Sequence, residues 1–410
     1  MAVGTSSGGK ARSVLREAGF VRLWVGTTAS GLATWALPFV LGLAVLEREL
    51  SAAGLGVVLA ARTAGFLGAV PVAGVVADRH SRRGVVLGAG LAAAGAAPVI
   101  AWGLGWSLAV MAVAAAVMGA GQGACRPAFQ ALVTEVVDVE RRQTANAAMA
   151  LATRTTTLAA PGVTALLATV LDTTALLVGI GLLWLCAALV PPRGAPARRA
   201  DGPRVPFWRE FVDGVHEARR HPWFLAGLGA LTAVIATGYS ATSVALPLIS
   251  RDRYDTEVVL AAALTAYTVG GLIGALVVAR WRPRSQGWAA LAALACYGFA
   301  PLALLLPVPW VVIVAAYVVA GLGIELFNVP WFTATQREAA PDKLARVSSL
   351  DFLMSYGLAP VGLVLIAPAI DLFGVTAVLG TCAAVCFLAP AAAALVPTTR
   401  HFARSTGESR

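Results

Sequence analysis

A succession of about twelve apolar runs, each near 20 residues and divided from the next by a short polar or charged turn, limits this chain to very few folds. The runs lie near residues 20–46, 53–77, 84–104, 107–131, 145–170, 173–191, 223–249, 257–279, 287–306, 309–335, 347–369 and 374–396. Inside hydrocarbon there is no water to bond the backbone, so each run must satisfy its own amides as an α-helix. The spacing predicts an all-α membrane protein with twelve transmembrane helices. Composition agrees: 58% of the 410 residues are hydrophobic, 13% are charged, and the mean hydropathy is +0.78. A soluble domain carries about 25% charged residues, and this chain could not cover its apolar surface in water.

The net charge of +10 has a topological explanation. Most of the Lys and Arg fall in the N-terminus, the even-to-odd turns and the C-terminus, while Arg48, Arg251 and Arg253 lie on the other side. The positive-inside rule then places both termini in the cytoplasm, and no nucleic-acid partner is expected. Lys10, Arg12 and Arg16 lead into a first run longer than a signal-peptide core, so the first helix is expected to remain. Cys125, Cys186, Cys296, Cys382 and Cys386 all lie in apolar runs without metal-ligand spacing and read as small hydrophobes. His80, His216, His221 and His401 lie in loops or the tail with no nucleophile partner, and no phosphate-binding glycine loop occurs. The chain is therefore not read as an enzyme, and no cofactor, metal or disulfide is implied.

The longest connection, Pro191 to Pro222, is rich in Arg, Pro and Gly and divides the chain into 1–191, a linker at 192–221, and 222–410. Within it, Phe207, Phe211, Val215 and Ala218 recur at helical spacing with Arg209, Glu210, Asp213, Glu217 and Arg219 between them, the pattern of an amphipathic helix on the inner membrane surface. The two halves are related. Pro127, Phe129, Ala131 and Glu135 match Pro330, Phe332, Ala334 and Glu338 at an offset of about 203 residues, and Val75-Val76-Ala77 matches Val277-Val278-Ala279. Repeats of this kind build secondary transporters, with a substrate site near the midplane between them.

The turn Gly74-Val75-Val76-Ala77-Asp78-Arg79-His80-Ser81-Arg82-Arg83-Gly84 packs charge between two apolar runs. It resembles the loop between helices two and three of the major facilitator superfamily, written G-x-x-x-D-R-x-x-R-[RK], and the superfamily likeness extends over almost the whole chain. That resemblance implies two pseudo-symmetric six-helix bundles in a bacterial cytoplasmic membrane. It also implies a conformational latch in which Asp78 meets the helix start at Ser348 and Ser349. Glu135 and Asp138 are then the expected partners of Arg82 and Arg83, with Gly74 and Arg79 completing the motif. In the second copy Arg280 stands in place of Asp78, so the latch belongs mainly to the first. Asp351, following Ser348-Ser349, is counted with the latch and reads as a first-turn acid favoured by the positive end of its helix.

Arg62, Arg126, Arg154, Glu325 and Asp351 fall within or at the edge of the apolar runs. An unpaired charge at the centre of a span costs at least about 2.5–3.5 kcal/mol, so such residues must face a wet cavity or one another. Glu325 lies about 24 Å down the tenth run at the helical rise. Three roles are open to it: exchanging a proton, pairing with Arg126 or Arg154, or meeting a cationic substrate. Arginine stays charged at any accessible pH, so Arg126, or Arg154 in its place, can tune Glu325 but cannot carry the proton. Arg62, nearer the outer face, is a candidate to line the cavity or to pair with Asp252 or Glu257.

Thr34, Trp35, Gln122, Tyr239, Thr242, Tyr267, Asn328 and Trp331 are further candidates to line a mostly apolar cavity. Sparse hydrogen bonding of this kind suits amphiphilic substrates. Asn146-Ala147 and Gly357-Leu358-Ala359-Pro360-Val361-Gly362 resemble the multidrug and macrolide efflux group, which includes siderophore exporters. Of the G-P-x-x-G-G-like element of drug and proton antiporters, only Pro161 is in register. The resemblance implies a monomeric, proton-coupled exporter of a hydrophobic or amphiphilic small molecule. Uptake of a metabolite or siderophore and a non-transporting sensor are the alternatives.

Overall fold

The computed structural model describes residues 14–79, 81–193, 207–256, 258–357 and 359–403. The apolar runs dictate nearly every element. Helices α1 (Ala18–Leu46), α2 (Ala52–Arg79), α3 (Arg82–Gly103), α4 (Leu108–Val136), α5 (Arg142–Leu167) and α6 (Thr173–Leu189) are the first six expected spans, within a few residues. After α7 (Phe207–Arg219), the seventh span is one rod made of α8 (Pro222–Ala233), a π-helical turn (Val234–Tyr239) and α9 (Ser240–Tyr254). The eighth is α10 (Val258–Val278), the ninth is α11 (Gln286–Ala295) with α12 (Phe299–Leu305), and the tenth is α13 (Trp310–Glu338). The eleventh combines α14 (Leu344–Gly357) with the start of α15 (Ala359–Ala394), and Gly374, at φ 80°, breaks α15 to begin the twelfth.

Among the described residues, nine helices are long and apolar enough to cross a membrane, and Thr173–Leu189 is a shorter apolar helix. Two expected spans fall outside that set for physical reasons. One face of α5 carries Gln143, Asn146 and Arg154, which lowers its hydropathy, and the eleventh span is divided between two helices. Caps sharpen the reversals between spans. The Ser81 hydroxyl accepts the Gly84 amide at 2.8 Å to start α3, and Asp172 accepts that of Ala175 at 2.7 Å to start α6.

Helices α1 to α6 pack chiefly on one another, with α2 on α4, α3 on α4 and α6, and α1 on α5 and α6. In the second set α10 and α11 pack on α13, and α15 crosses α8, α9, α11 and α12. The sets meet where α2 and α4 lie on α14 and where α5 lies on α10 and α13. The internal repeat is visible in α4 and α13, each 29 residues long with a proline, Pro127 or Pro330, beyond its middle. Ion pairs and hydrogen bonds from Arg82, Arg141, Arg142 and Arg337 gather the ends of α4 and α13 and both described chain ends on one side, termed the basic end.

Helix α7 lies against α8 and α14 at this end. Its side chains at 207–211 lie outside the described residues. Ala218 is buried as its spacing predicts, but Glu217, expected on the polar face, is 2% exposed. Its carboxylate meets Lys343 Nζ at 3.3 Å and His221 Nε2 at 3.5 Å. The sequence pattern misplaced it because α14 covers that face of α7. Burial opposes the charge, yet the bonds to Lys343 and His221 prevail and hold the carboxyl below its ordinary value of 4.5. The contact thus stabilises α7 docking at every pH above the ordinary carboxylate value and loses that effect as pH falls through the lower, folded one. Protection of the α7 amides, relative to the intrinsic exchange rate at each pH, is expected to be high at pH 6 and to fall as the pH drops through the lowered Glu217 value, and in Glu217→Gln to be equally low throughout. A wild type with the same protection across that range overturns this.

Candidate functional site

Midway along α5 and α13, the two sets of helices meet through charge. Arg154 Nε donates to Glu325 Oε1 at 2.6 Å, with the Glu325 side chain only 6% exposed. The Arg154 guanidinium also lies 5.1 Å over the Tyr267 ring, and its stem lies against Gly271 of α10. Tyr267 packs edge-on to Tyr297 at 6.2 Å, and the Tyr297 hydroxyl shares a hydrogen bond of 3.2 Å with Thr242. Of the sequence candidates, Arg154, Glu325, Tyr267 and Thr242 therefore form one cluster. Tyr239 stands beside it on the π-helical turn, 43% exposed, and Asn328 is half-buried three residues beyond Glu325.

A second cluster belongs to the first set alone. Arg62 Nη2 donates to Gln122 Oε1 at 2.8 Å and to the Thr34 carbonyl at 3.3 Å. Pairing of Arg62 with Asp252 is excluded, because Asp252 is held by Arg251 at 2.7 Å, and Glu257 lies outside the described residues. The reason is depth: Arg62 is ten residues into α2 and faces α4, not the loops. Arg126, one turn along α4 from Gln122, lies 5.9 Å over the Phe66 ring, while Glu325 is taken by Arg154. Trp35, on α1, is 39% exposed.

At the basic end the two sets are sealed by polar side chains. Asn146 Nδ2 donates to Gln336 Oε1 and to Thr333 Oγ1, both at 2.9 Å, and Gln336 Nε2 returns bonds to Asn146 Oδ1 at 3.3 Å and the Gln130 carbonyl at 2.9 Å. Gln143 Nε2 bonds the carbonyls of Val278 and Trp281, each at 2.9 Å, and Arg142 bonds that of Gln336 at 3.2 Å. Sequence reasoning did not assign Gln143, Gln336 or Thr333. The available signal was amide or hydroxyl side chains three residues apart on two spans, Gln143 with Asn146 and Thr333 with Gln336.

The charged turn supports this seal. Arg82 pairs with Glu135 at 3.0 Å as expected, bonds the Ala131 carbonyl, and reaches the Pro341 carbonyl across the interface. Arg83 does not meet Asp138. It bonds the Leu189 carbonyl at 3.2 Å, because the next position on α3 turns toward α6, and Asp138 instead holds Arg141 at 2.5 Å. The side chains of Asp78 and Arg79 lie outside the described residues, and with them the expected approach of Asp78 to Ser348 and Ser349. Gly74 does reach that place, since a Cβ there would stand 2.3 Å from Ser349 Oγ.

Two further expectations are corrected. Asp351 is not a first-turn acid: α14 begins at Leu344, and Asp351, 3% exposed, accepts the Trp331 indole N–H at 3.0 Å. Trp331 cannot line a cavity, because it is fully buried between Phe224 at 5.0 Å and Phe327 at 5.4 Å, with Trp223 and Phe402 edge-on. Ring contacts of this kind contribute about 0.5–1.5 kcal/mol beyond their buried area, which explains why the indole turns inward.

Helices long enough to span a bilayer, an internal repeat, and buried polar contacts joining two sets of spans at mid-depth and at one end define a polytopic membrane protein built from two related halves. The chain belongs to the Major Facilitator Superfamily, whose family profile matches residues 23–363. Among curated relatives it is 28% identical over 362 residues to the multidrug efflux pump Tap of Mycobacterium tuberculosis and Mycobacterium bovis, covering 81% of this chain and 82% of the pump. Among solved structures it resembles the human organic anion transporter MFSD10 (TM-score 0.74, 16% identity, 92% of this chain and 99% of that one). The Escherichia coli fucose:proton symporter FucP gives a TM-score of 0.68 at 14% identity, over 91% of this chain and 98% of that one. These two likenesses establish the shared fold.

Proposed function

We propose that this transporter exports a hydrophobic or amphiphilic small molecule in exchange for protons, by alternating access across a bacterial cytoplasmic membrane. The observation that carries the reading is the buried Arg154–Glu325 pair at 2.6 Å, which joins the two sets of helices at mid-depth. The 28% identity to a multidrug efflux pump supports the substrate class and the direction. Residues 1–191 and 222–410 act as the two moving bodies, 192–221 links them, and the basic end faces the cytoplasm, where the excess Lys and Arg belongs. The protein works as a monomer.

In this reading the structure is closed to the cytoplasm. Glu325 takes a proton from outside, which removes its charge and releases Arg154, so that α5 can part from α10 and α13 and the basic end opens. Substrate entering from the cytoplasm accompanies loss of that proton, the pair re-forms, and the seal returns. The deciding experiment energises inverted membrane vesicles by respiration and follows internal pH with a dye while anionic, neutral and cationic amphiphiles are added in turn. Proton release triggered by particular compounds is expected. Silence from well-folded protein across the panel sinks proton antiport.

A further inference from the structure

Helices α2 and α4 touch backbone to backbone, because Gly119 lies where a Cβ would come within 1.9 Å of the Arg62 carbonyl oxygen. This contact fixes Arg62 beside Gln122, and both partners of its guanidinium, the Gln122 amide oxygen and the Thr34 carbonyl, are neutral. Four residues along α4, on the same face, Arg126 lies close enough for the two guanidinium charges to repel each other. Neutral acceptors satisfy donors but leave the charge uncompensated, which is costly at mid-depth in a bilayer.

Neither of the acids described inside the spans compensates it. Glu325 is 4% exposed and bonded to Arg154, and Asp351 is 3% exposed and bonded to Trp331. A ligand near the midplane therefore meets the Arg62 guanidinium, held only by neutral acceptors, and two acids that are already engaged. A planar guanidinium with only part of its fork in use is suited to a carboxylate or another planar anion.

Building on the transport reading above, we infer that Arg62, presented by Gln122 and Thr34, binds an anionic group on the substrate, so that the preferred cargo is an amphiphile carrying a carboxylate or similar anion and not a lipophilic cation. Arg126 adds to the attraction through its field. The apolar remainder of such a molecule would lie along the sparse polar lining already described.

The test uses purified full-length protein and three matched probes: 4-(1-pyrenyl)butyrate, its methyl ester, and the corresponding butyl-trimethylammonium compound. Binding is read as energy transfer from tryptophan to pyrene, and the detergent background is identical for wild type and variants. The carboxylate is expected to bind about tenfold or more tightly than either analogue, with Arg62→Gln removing the preference while keeping affinity for the ester. Where Arg62→Gln does not elute as a single species, Arg62→Lys serves, with a weaker preference of the same sign expected. Equal or absent binding of the three probes by wild type, a preference for the ammonium compound, or a carboxylate preference undiminished in the variant overturns the inference. No proton gradient is present, so its failure is distinguishable from failure of antiport in vesicles.

Discussion

Replacing Glu325 by Gln is expected to leave a folded protein that equilibrates its substrate but no longer concentrates it. The amide, uncharged like the protonated acid, offers Arg154 only a neutral oxygen, so the two sets can still part and rejoin, and the buried guanidinium keeps an acceptor, whose complete loss would cost about 3–5 kcal/mol. What it cannot do is gain and lose a proton. One proton moving down about 100 mV and one pH unit yields roughly 3.7 kcal/mol, which sustains a concentration ratio of a few hundred. In proteoliposomes with an imposed gradient that ratio should fall to unity in the variant, while exchange of labelled for unlabelled substrate without a gradient continues. Uphill transport by Glu325→Gln within a few-fold of wild type would show that the proton is carried elsewhere.

The second large effect is expected from Gly74→Leu. Helices α2 and α14 are so close that any side chain at position 74 meets Ser349 Oγ at 2.3 Å and the Ala345 carbonyl oxygen at 2.9 Å. The first of these can yield by rotation, but the second is backbone and cannot. Overpacking a close contact costs about 1–3 kcal/mol, enough to shift the balance between sealed and open states about five- to 150-fold. The expected result is faster maleimide labelling of a cysteine placed at Ala147, buried against Val278 and Val329 of the other set, in a background without native cysteines, and transport reduced by a similar factor. Gly74→Ala should give a smaller shift in the same direction. Labelling as slow as wild type in the leucine variant would remove Gly74 from the closing contact.

The spans were legible because hydrocarbon leaves the backbone no choice: the expected start of α6 at residue 173 and those of α8 and α13 differ from the structure by at most one residue. Glu325 stood out for the same reason, as an acid in an apolar run. Which arginine it meets was not legible. Arg126 and Arg154 sit at similar depth, and only the crossing of α5 over α10 and α13 brings Arg154 to it. Trp331 failed differently, since an indole suits a cavity wall and a packed core equally, and Phe402, 71 residues away at the chain end, helps decide which. Glu217 and Gln336 were missed because their partners lie on other elements, beyond the reach of any local spacing.

The described bonds that hold the basic end across the two sets have one chemical character. Arg82, Arg142, Gln143, Asn146 and Gln336 all donate to uncharged oxygens on the far side, namely peptide carbonyls, an amide and a hydroxyl. At about 0.6 kcal/mol each, eight such bonds amount to roughly 5 kcal/mol, similar to the yield of a single proton. The acceptors of these described bonds do not titrate and carry no net charge, so on the proposed reading pH and ionic strength act only weakly on this part of the closure. On the proposed reading, sensing falls to Glu325 at mid-depth, chemically separate from the polar bonds that hold the basic end.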